Sequence, residues 1–354
     1  MVLPVGIPDI LAHTRLGRAQ TETRRALDVA QREMVTGEAV DRFKATGGDT
    51  ARLMAFDRGI AVLDNRKPLL AMAGTRSAAM QDALGGVQAA TEGLGVRMLR
   101  DISMGDLSSA RFAAGEARTA LGQVMMALNT EHGGRHLFAG GSVGAPLAPA
   151  ADLLAAVAAA LDGVDLDDPD AIVAAVTAYF DPDAPAVLPE PPDPPEPANF
   201  NSDGQYRGAP DAGPPVEIAD GEYLAYGIRA DDPVLREMMR GLSLAAVAED
   251  RYKAGDISRA TLESLLDEAG RTLIAATDSV TALRSRLGMA EQRIEAASAR
   301  TAAQRDTLER GRADLIGRDP YETASRVVEL QSQLEAIYAI TARSSQLSLL
   351  NFLR

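Results

Sequence analysis

The feature that most constrains this 354-residue chain is a run of positions near its C-terminal end: Leu262, Leu266, Ala269, Leu273, Ala276, Val280, Leu283, Leu287, Ala290, Ile294, Ala297, Thr301, Gln304 and Leu308. The steps alternate between four and three without a break, the pattern of a helix that lays one apolar stripe against neighbouring helices. At about 1.5 Å per residue, the segment predicts a helix of roughly 70 Å. The stripe thins into Thr and Gln at its end, and Gly311 and Gly317 are expected to loosen the helix there.

Proline shows where companion helices can form. Of 19 prolines, 15 fall between Pro146 and Pro233; the others are Pro4, Pro8, Pro68 and Pro320. A proline inside a helix removes a hydrogen bond and clashes with the preceding turn, so the flanks are free to be helical and the middle is not. Upstream, Leu16, Gln20, Thr23, Leu27, Ala30 and Met34 give a thin seam, and Leu107, Ala110, Ala114, Ala117, Leu121, Val124 and Leu128 a cleaner one. Between them, Gly37 to Asp49 reads as a loop and Thr50 to about Met98 as a helix kinked near Pro68. Downstream, Asp319-Pro320 restarts a helix, with Asp319 as N-cap and Pro320 in the first turn. Val327, Leu330, Leu334 and Ile337 continue the alternation into an apolar end, Gln346 to Leu353.

The fold class expected is mainly α, a long antiparallel helical bundle or coiled coil formed by the N- and C-terminal segments, with a small α+β inserted domain. Residues 1–45 with 312–354 form a terminal coiled-coil assembly domain, and 46–145 with 234–311 a helical rod. Residues 146–233 form an acidic, Pro-rich outer insert. Within the insert, Ala151 to Ala160 and Ala171 to Phe180 read as short helices, and Asp203-Gly204 as a turn. Val216-Glu217-Ile218 and Tyr223 to Ile228, around Asp220-Gly221, read as a β-hairpin. The run from Pro189 to Pro197 reads as an extended connector.

Charge and composition exclude whole classes of function. From Ala151 to Leu235 there are 14 Asp and 4 Glu against Arg207 and Arg229, so this stretch more than accounts for the net charge of −14. An acidic chain argues against nucleic acid as a partner. With no cysteine, disulfides, thiolate metal sites and thiol nucleophiles are impossible. Met1 to Ile10 lack the pattern of a cleaved signal peptide, and no stretch approaches the length of a membrane span. Neither membrane insertion nor cleaved-signal export is therefore expected.

Candidate chemistry is sparse. His132 and His136 lie four apart, but Gly133-Gly134 interrupts any helix between them and no third ligand is evident; the segment reads as a helix stop and turn. The glycine pairs Gly85-Gly86 and Gly93/Gly95 lack the spacing of a nucleotide loop. The cluster from Asp165 to Asp170 is broken by Pro169 and lacks the closing Glu of a calcium loop. No serine has an evident base, so no catalytic residue, metal site or cofactor is expected, and the chain is not read as an enzyme.

The segment Ala127-Leu128-Asn129-Thr130-Glu131-His132-Gly133-Gly134-Arg135-His136-Leu137-Phe138-Ala139-Gly140-Gly141 resembles the "LN…NGRYLFAGG" stretch of flagellins and hook-associated proteins. Tyr338 to Arg343 and Leu347 to Leu353 resemble that superfamily's "AY…TAR…LSLLNYL" end. The resemblance implies a structural subunit of the bacterial flagellum, secreted without a cleaved signal peptide. Its chain ends would form a coiled-coil layer on assembly, which places the interface on Leu16, Leu27, Met34, Leu308, Leu315, Val327, Leu330, Leu334, Ile337, Leu347, Leu350 and Phe352. The implied partners are further copies in a ring, a neighbouring hook-associated protein, flagellin, and the flagellar export apparatus with its chaperone. The reading is a hook-associated subunit joining hook to filament; the alternatives are a filament-forming flagellin and a cytosolic coiled-coil scaffold.

Overall fold

In a computed structural model, which describes residues 7–181, 199–201 and 203–352, the long seam folds as the alternation requires. Side chains are described for those residues among them that lie between 14 and 343. The elements are α1 (Ile7–Thr36), α2 (Arg42–Ala45), α3 (Ala51–Thr91), α4 (Leu94–Ser103), α5 (Leu107–Leu128), β1 (Glu131–His132) and β2 (Arg135–His136). There follow α6 (Ala150–Ala159), α7 (Pro169–Phe180), β3 (Val216–Ala219), β4 (Glu222–Leu224), α8 (Pro233–Ala254), α9 (Arg259–Ile316) and α10 (Pro320–Phe352). The fold is mainly α with a small α+β insert.

Every seam position on α9 from Leu262 to Thr301 is buried, and burial stops at Gln304, where the sequence turns polar. The helix does not loosen at Gly311 as expected. It runs on to Ile316, because Gly311 makes room for a neighbour: a Cβ there would stand 2.8 Å from the ring of Phe56. Two other expectations are corrected. The 37–49 loop contains the short helix α2, capped by Asp41, whose carboxylate accepts from the Lys44 amide at 3.0 Å. And the helix expected to about Met98 is interrupted: α3 runs through Pro68 to Thr91, and α4 starts after Gly93, whose φ of 68° is left-handed. Pro68 removes one hydrogen bond from a helix of 41 residues, a loss that buried positions on either side, Leu63 and Leu70, offset.

The chain divides into two units, residues 1–65 with 301–354, and residues 66–300. The second holds the main core. The α5 seam is buried from Ala110 through Leu128, and α8 adds Leu235, Met238, Met239 and Leu242. Where α4 crosses α9 the backbones nearly touch: a Cβ on Gly95 would lie 2.5 Å from the Gly270 carbonyl oxygen. The helices of the acidic stretch join this core through Leu153, Val157, Ile172, Val176 and Phe180, and the rings of Phe180 and Phe200 stack at 5.5 Å. Their aspartates at 152, 162, 165, 167, 168 and 170 stay exposed. The predicted connector from Pro189 to Pro197 lies outside the described residues.

Helix starts follow local side-chain chemistry. Asp168 caps α7 through the Asp170 amide at 3.0 Å, with Pro169 in the first turn. Asp106 caps α5, accepting from the Ser109 amide at 3.1 Å and from the Ser108 and Ser109 hydroxyls at 2.6 and 2.7 Å. These donors, the Ser108 hydroxyl foremost, hold its carboxyl at about 2. A pKa below the unfolded value stabilises the folded state above the ordinary carboxylate range, and the contribution is lost as pH falls through about 2. Carbon-detected NMR titration is expected to place the Asp106 midpoint near 2; a midpoint near the ordinary 3.8 would mean the hydroxyls do not donate to it.

The Gly95–Gly270 crossing yields a second prediction. Gly95→Ala is expected to push α4 from α9 and to cost about 1–3 kcal/mol in chemical denaturation. The usual gain in helix propensity from Gly to Ala is only about 1 kcal/mol, so unchanged or increased stability would show that the crossing is looser than described.

Candidate assembly interface

The first unit pairs α1 with α10 in antiparallel fashion. Its closed end is pinned by a short backbone bridge between Glu38 and Gly317: the Ala39 amide donates to the Ile316 carbonyl at 2.7 Å and the Arg318 amide to the Gly37 carbonyl at 2.8 Å. Gly37, at φ 69°, makes the turn out of α1 that permits this bridge. Asp319 starts α10 as expected, its carboxylate accepting from the Tyr321 amide at 2.7 Å. Further along, Arg24 hydrogen-bonds the Tyr338 hydroxyl and lies over its ring, 5.6 Å from the centroid.

An ion network braces the closed end. The Arg312 guanidinium donates to both Glu38 oxygens at 2.6 and 2.9 Å and to Asp57 at 2.8 Å, joining α9, the α1–α2 turn and α3. Glu33 accepts from the Val40 amide at 3.1 Å and meets Arg318 at 3.6 Å. These groups are only partly exposed, so their charge-assisted bonds are stronger than those of a fully hydrated pair.

The seam itself is only half closed. Leu16 and Leu27 on α1, and Leu330, Leu334 and Ile337 on α10, are all half-buried; Ala30, Thr323 and Val327 alone along this pair are fully covered among the described side chains. A half-buried Leu or Ile recovers about half of the 1.5–3 kcal/mol that full burial gives. On the remaining surface, Val35 is 81%, Val328 62% and Ile340 56% exposed. Met34, expected in the seam, is 42% exposed and faces away from cover. Leu308 and Leu315 lie on α9, both half-buried, Leu308 against Gly59 of α3. Leu347, Leu350 and Phe352 belong to the α10 sequence, and their side chains lie outside the described residues. Val328 and Ile340 fall off the four-three alternation, so periodicity did not single them out.

Among the described residues, no three His, Asp or Glu side chains gather so as to hold a metal ion. The cleft between α8 and α9 is lined by Glu237, Arg240, Glu268 and Thr272, and Arg240 is engaged with its own neighbours, donating to Glu237 at 2.8 Å and Thr272 at 3.1 Å. The helix stop and turn expected around His132 and His136 are present: α5 ends at Leu128, and Gly133 and Gly134, at φ 61° and 78°, turn a tight β-hairpin between β1 and β2. His136 Nδ1 lies 2.7 Å from the Asn129 carbonyl oxygen. Among the described residues no helix is long and apolar enough to cross a membrane.

Residues 272–353 match the family described as the bacterial flagellin C-terminal helical region. The match covers most of α9 and all of α10, and only α10 belongs to the half-closed seam. It supports membership of the flagellin superfamily and, with it, a structural subunit of the flagellum. A search of curated proteins found no match to this chain.

The Arg312 network generates a prediction. Arg312→Met keeps the side-chain stem but removes its charged hydrogen bonds, leaving Glu38 without its strongest partner. It is expected to cost about 2 kcal/mol, read as faster amide exchange in α1 and α10 with α5 unchanged. Equal exchange in wild type and variant would show that the bridge alone holds the closed end.

Proposed function

We propose that this protein is a hook-associated subunit of the type of hook-associated protein 3, joining hook to filament by assembling through α1 and α10. The observation that carries the reading is the half-closed seam. Two helices can shield only one side of each other, and Leu16, Leu27, Leu330, Leu334 and Ile337 stay partly open where the α9 seam from Leu262 to Thr301 is closed. Further copies supplying helices to that side would bury the rest. At roughly 25 cal/mol per Å², a row of such side chains repeated around a ring is a sufficient driving force.

In this reading the interface comprises Leu16, Leu27, Met34, Leu308, Leu315, Val327, Leu330, Leu334, Ile337, Leu347, Leu350 and Phe352, in a terminal assembly domain of residues 1–45 and 312–354. Residues 46–145 and 234–311 form the rod, and residues 146–233 face outward. The partners are copies in a ring, a neighbouring hook-associated protein on one side and flagellin on the other. Export proceeds unfolded through the flagellar apparatus with a chaperone, without a cleaved signal peptide. Half-closed helices suit such a route, since marginal helices unfold for passage and fold when neighbours add the missing surface. The role is structural, without catalysis. The Leu349-Leu350-Asn351-Phe352-Leu353 ending favours the junction over the second reading, a filament-forming flagellin.

Deleting Leu347 to Leu353 is expected to leave the helical signal of the body intact while abolishing incorporation into flagella; normal incorporation would remove the seam from the mechanism. Immunogold labelling with an antibody against the 146–233 stretch is expected to mark a narrow band at the base of the filament. Label along the whole filament would establish the flagellin reading instead.

A further inference from the structure

The β3–β4 hairpin lies on the second unit but is scarcely part of its core. Val216, Ile218 and Leu224 meet Leu70 and Ala73 of α3 and Ala290, Ile294 and Ala297 of α9 in a small apolar cluster distinct from the main one. The two strands have four and three residues, and their register shifts between Glu217 and Ala219. A two-stranded hairpin of this size is marginal by itself, so its place on the helices depends on a few contacts.

One of those contacts is a buried charge. Arg66 of α3 is only 6% exposed, while of its two partners Glu217 is half-buried and Asp220 is exposed at the turn. Its Nη2 donates to Glu217 Oε1 at 3.1 Å and to the Asp220 carboxylate, both on the hairpin. Glu217 Oε1 also accepts from the Gly221 amide at 3.3 Å, so the group that holds Arg66 also ties the turn of the hairpin. The Arg66 Nε is buried without a partner. The hydrogen bond to Asp220 foremost, with the charge of Glu217, raises the guanidinium pKa against the opposing effect of burial. A buried cation that keeps its carboxylates is tolerated; one that loses them is strongly destabilising. Docking of the hairpin thus rests on one small apolar cluster and one polar contact, that of Arg66.

We propose that the β3–β4 hairpin is a detachable strap that leaves α3 and α9 as one piece while the helices stay folded, with Arg66 as the catch that sets how often it opens. Opening uncovers Leu70, Ala73, Ile294 and Ala297. The proposal stands on the hairpin's geometry and is independent of the assembly reading.

Amide exchange of the full-length chain, followed by mass spectrometry, tests it. Residues 216–224 are expected to exchange at least about 100-fold faster than the buried faces of α5 and α8, as a separate opening unit does. Glu217→Gln with Asp220→Asn is expected to accelerate exchange in the hairpin by about tenfold or more, leaving α5 and α8 unchanged. Adding Arg66→Met, which removes the stranded charge but keeps apolar bulk, is expected to restore slow exchange. A second measurement covers poor folding of the variants: in the wild-type chain, about 1 M salt is expected to speed exchange in the hairpin only. Hairpin amides exchanging at the α8 rate in the wild-type chain would overturn the proposal. So would uniform acceleration across residues 66–300, or failure of Arg66→Met to rescue.

Discussion

The structure depends on one unbroken apolar stripe along α9. From Leu262 to Thr301 each seam position is buried, and each helix of the second unit takes its place by covering part of that stripe or by packing on a helix that does. The side chains are small, with Ala at 269, 276, 290 and 297, so stabilisation comes from close approach and length. Gly95 and Gly270 show how far this goes: there is no room between α4 and α9 for a single methyl group. Interiors packed to this density resist both added and missing volume.

The first unit is built from the same residue types but reaches a different state. Its seam is covered on one side only, held by a bridge at Glu38–Gly317 and by the Arg312 network. Charge separates the two units in the same sense. Residues 1–65 with 301–354 hold 16 basic and 16 acidic side chains, so the whole excess of −14 sits in residues 66–300. Like charges oppose close association and a balanced surface does not. The flagellin match, over most of α9 and all of α10, reaches into both units.

Much of the fold was legible in the sequence because helix periodicity is a local property. The alternation placed α9, α5 and α10, Asp319-Pro320 placed the start of α10, and proline crowding placed the irregular stretch. The boundaries that went astray were set by single residues: Gly311 stayed helical with Phe56 packed on it, and the helix expected to about Met98 broke at the left-handed Gly93. For the candidate interface, the alternation found Leu16, Leu27, Val327, Leu330, Leu334 and Ile337. It could not find Val328 or Ile340, which lie off the seam on either side of it.

What the sequence determined by itself was which faces are apolar, where helices start and stop, and where excess charge lies, since each depends on residues within a turn or two of one another. The tertiary structure alone decided which apolar faces are covered. Leu27 and Leu273 sit in the same kind of pattern, yet the first is half-buried and the second buried, because the number of helices meeting a stripe is fixed by packing partners far away in the chain. The pairing of Arg66 with Glu217 and Asp220, across about 150 residues, is of the same kind: nothing local to either end announces it, and only the docking of the hairpin on α3 brings the charges together.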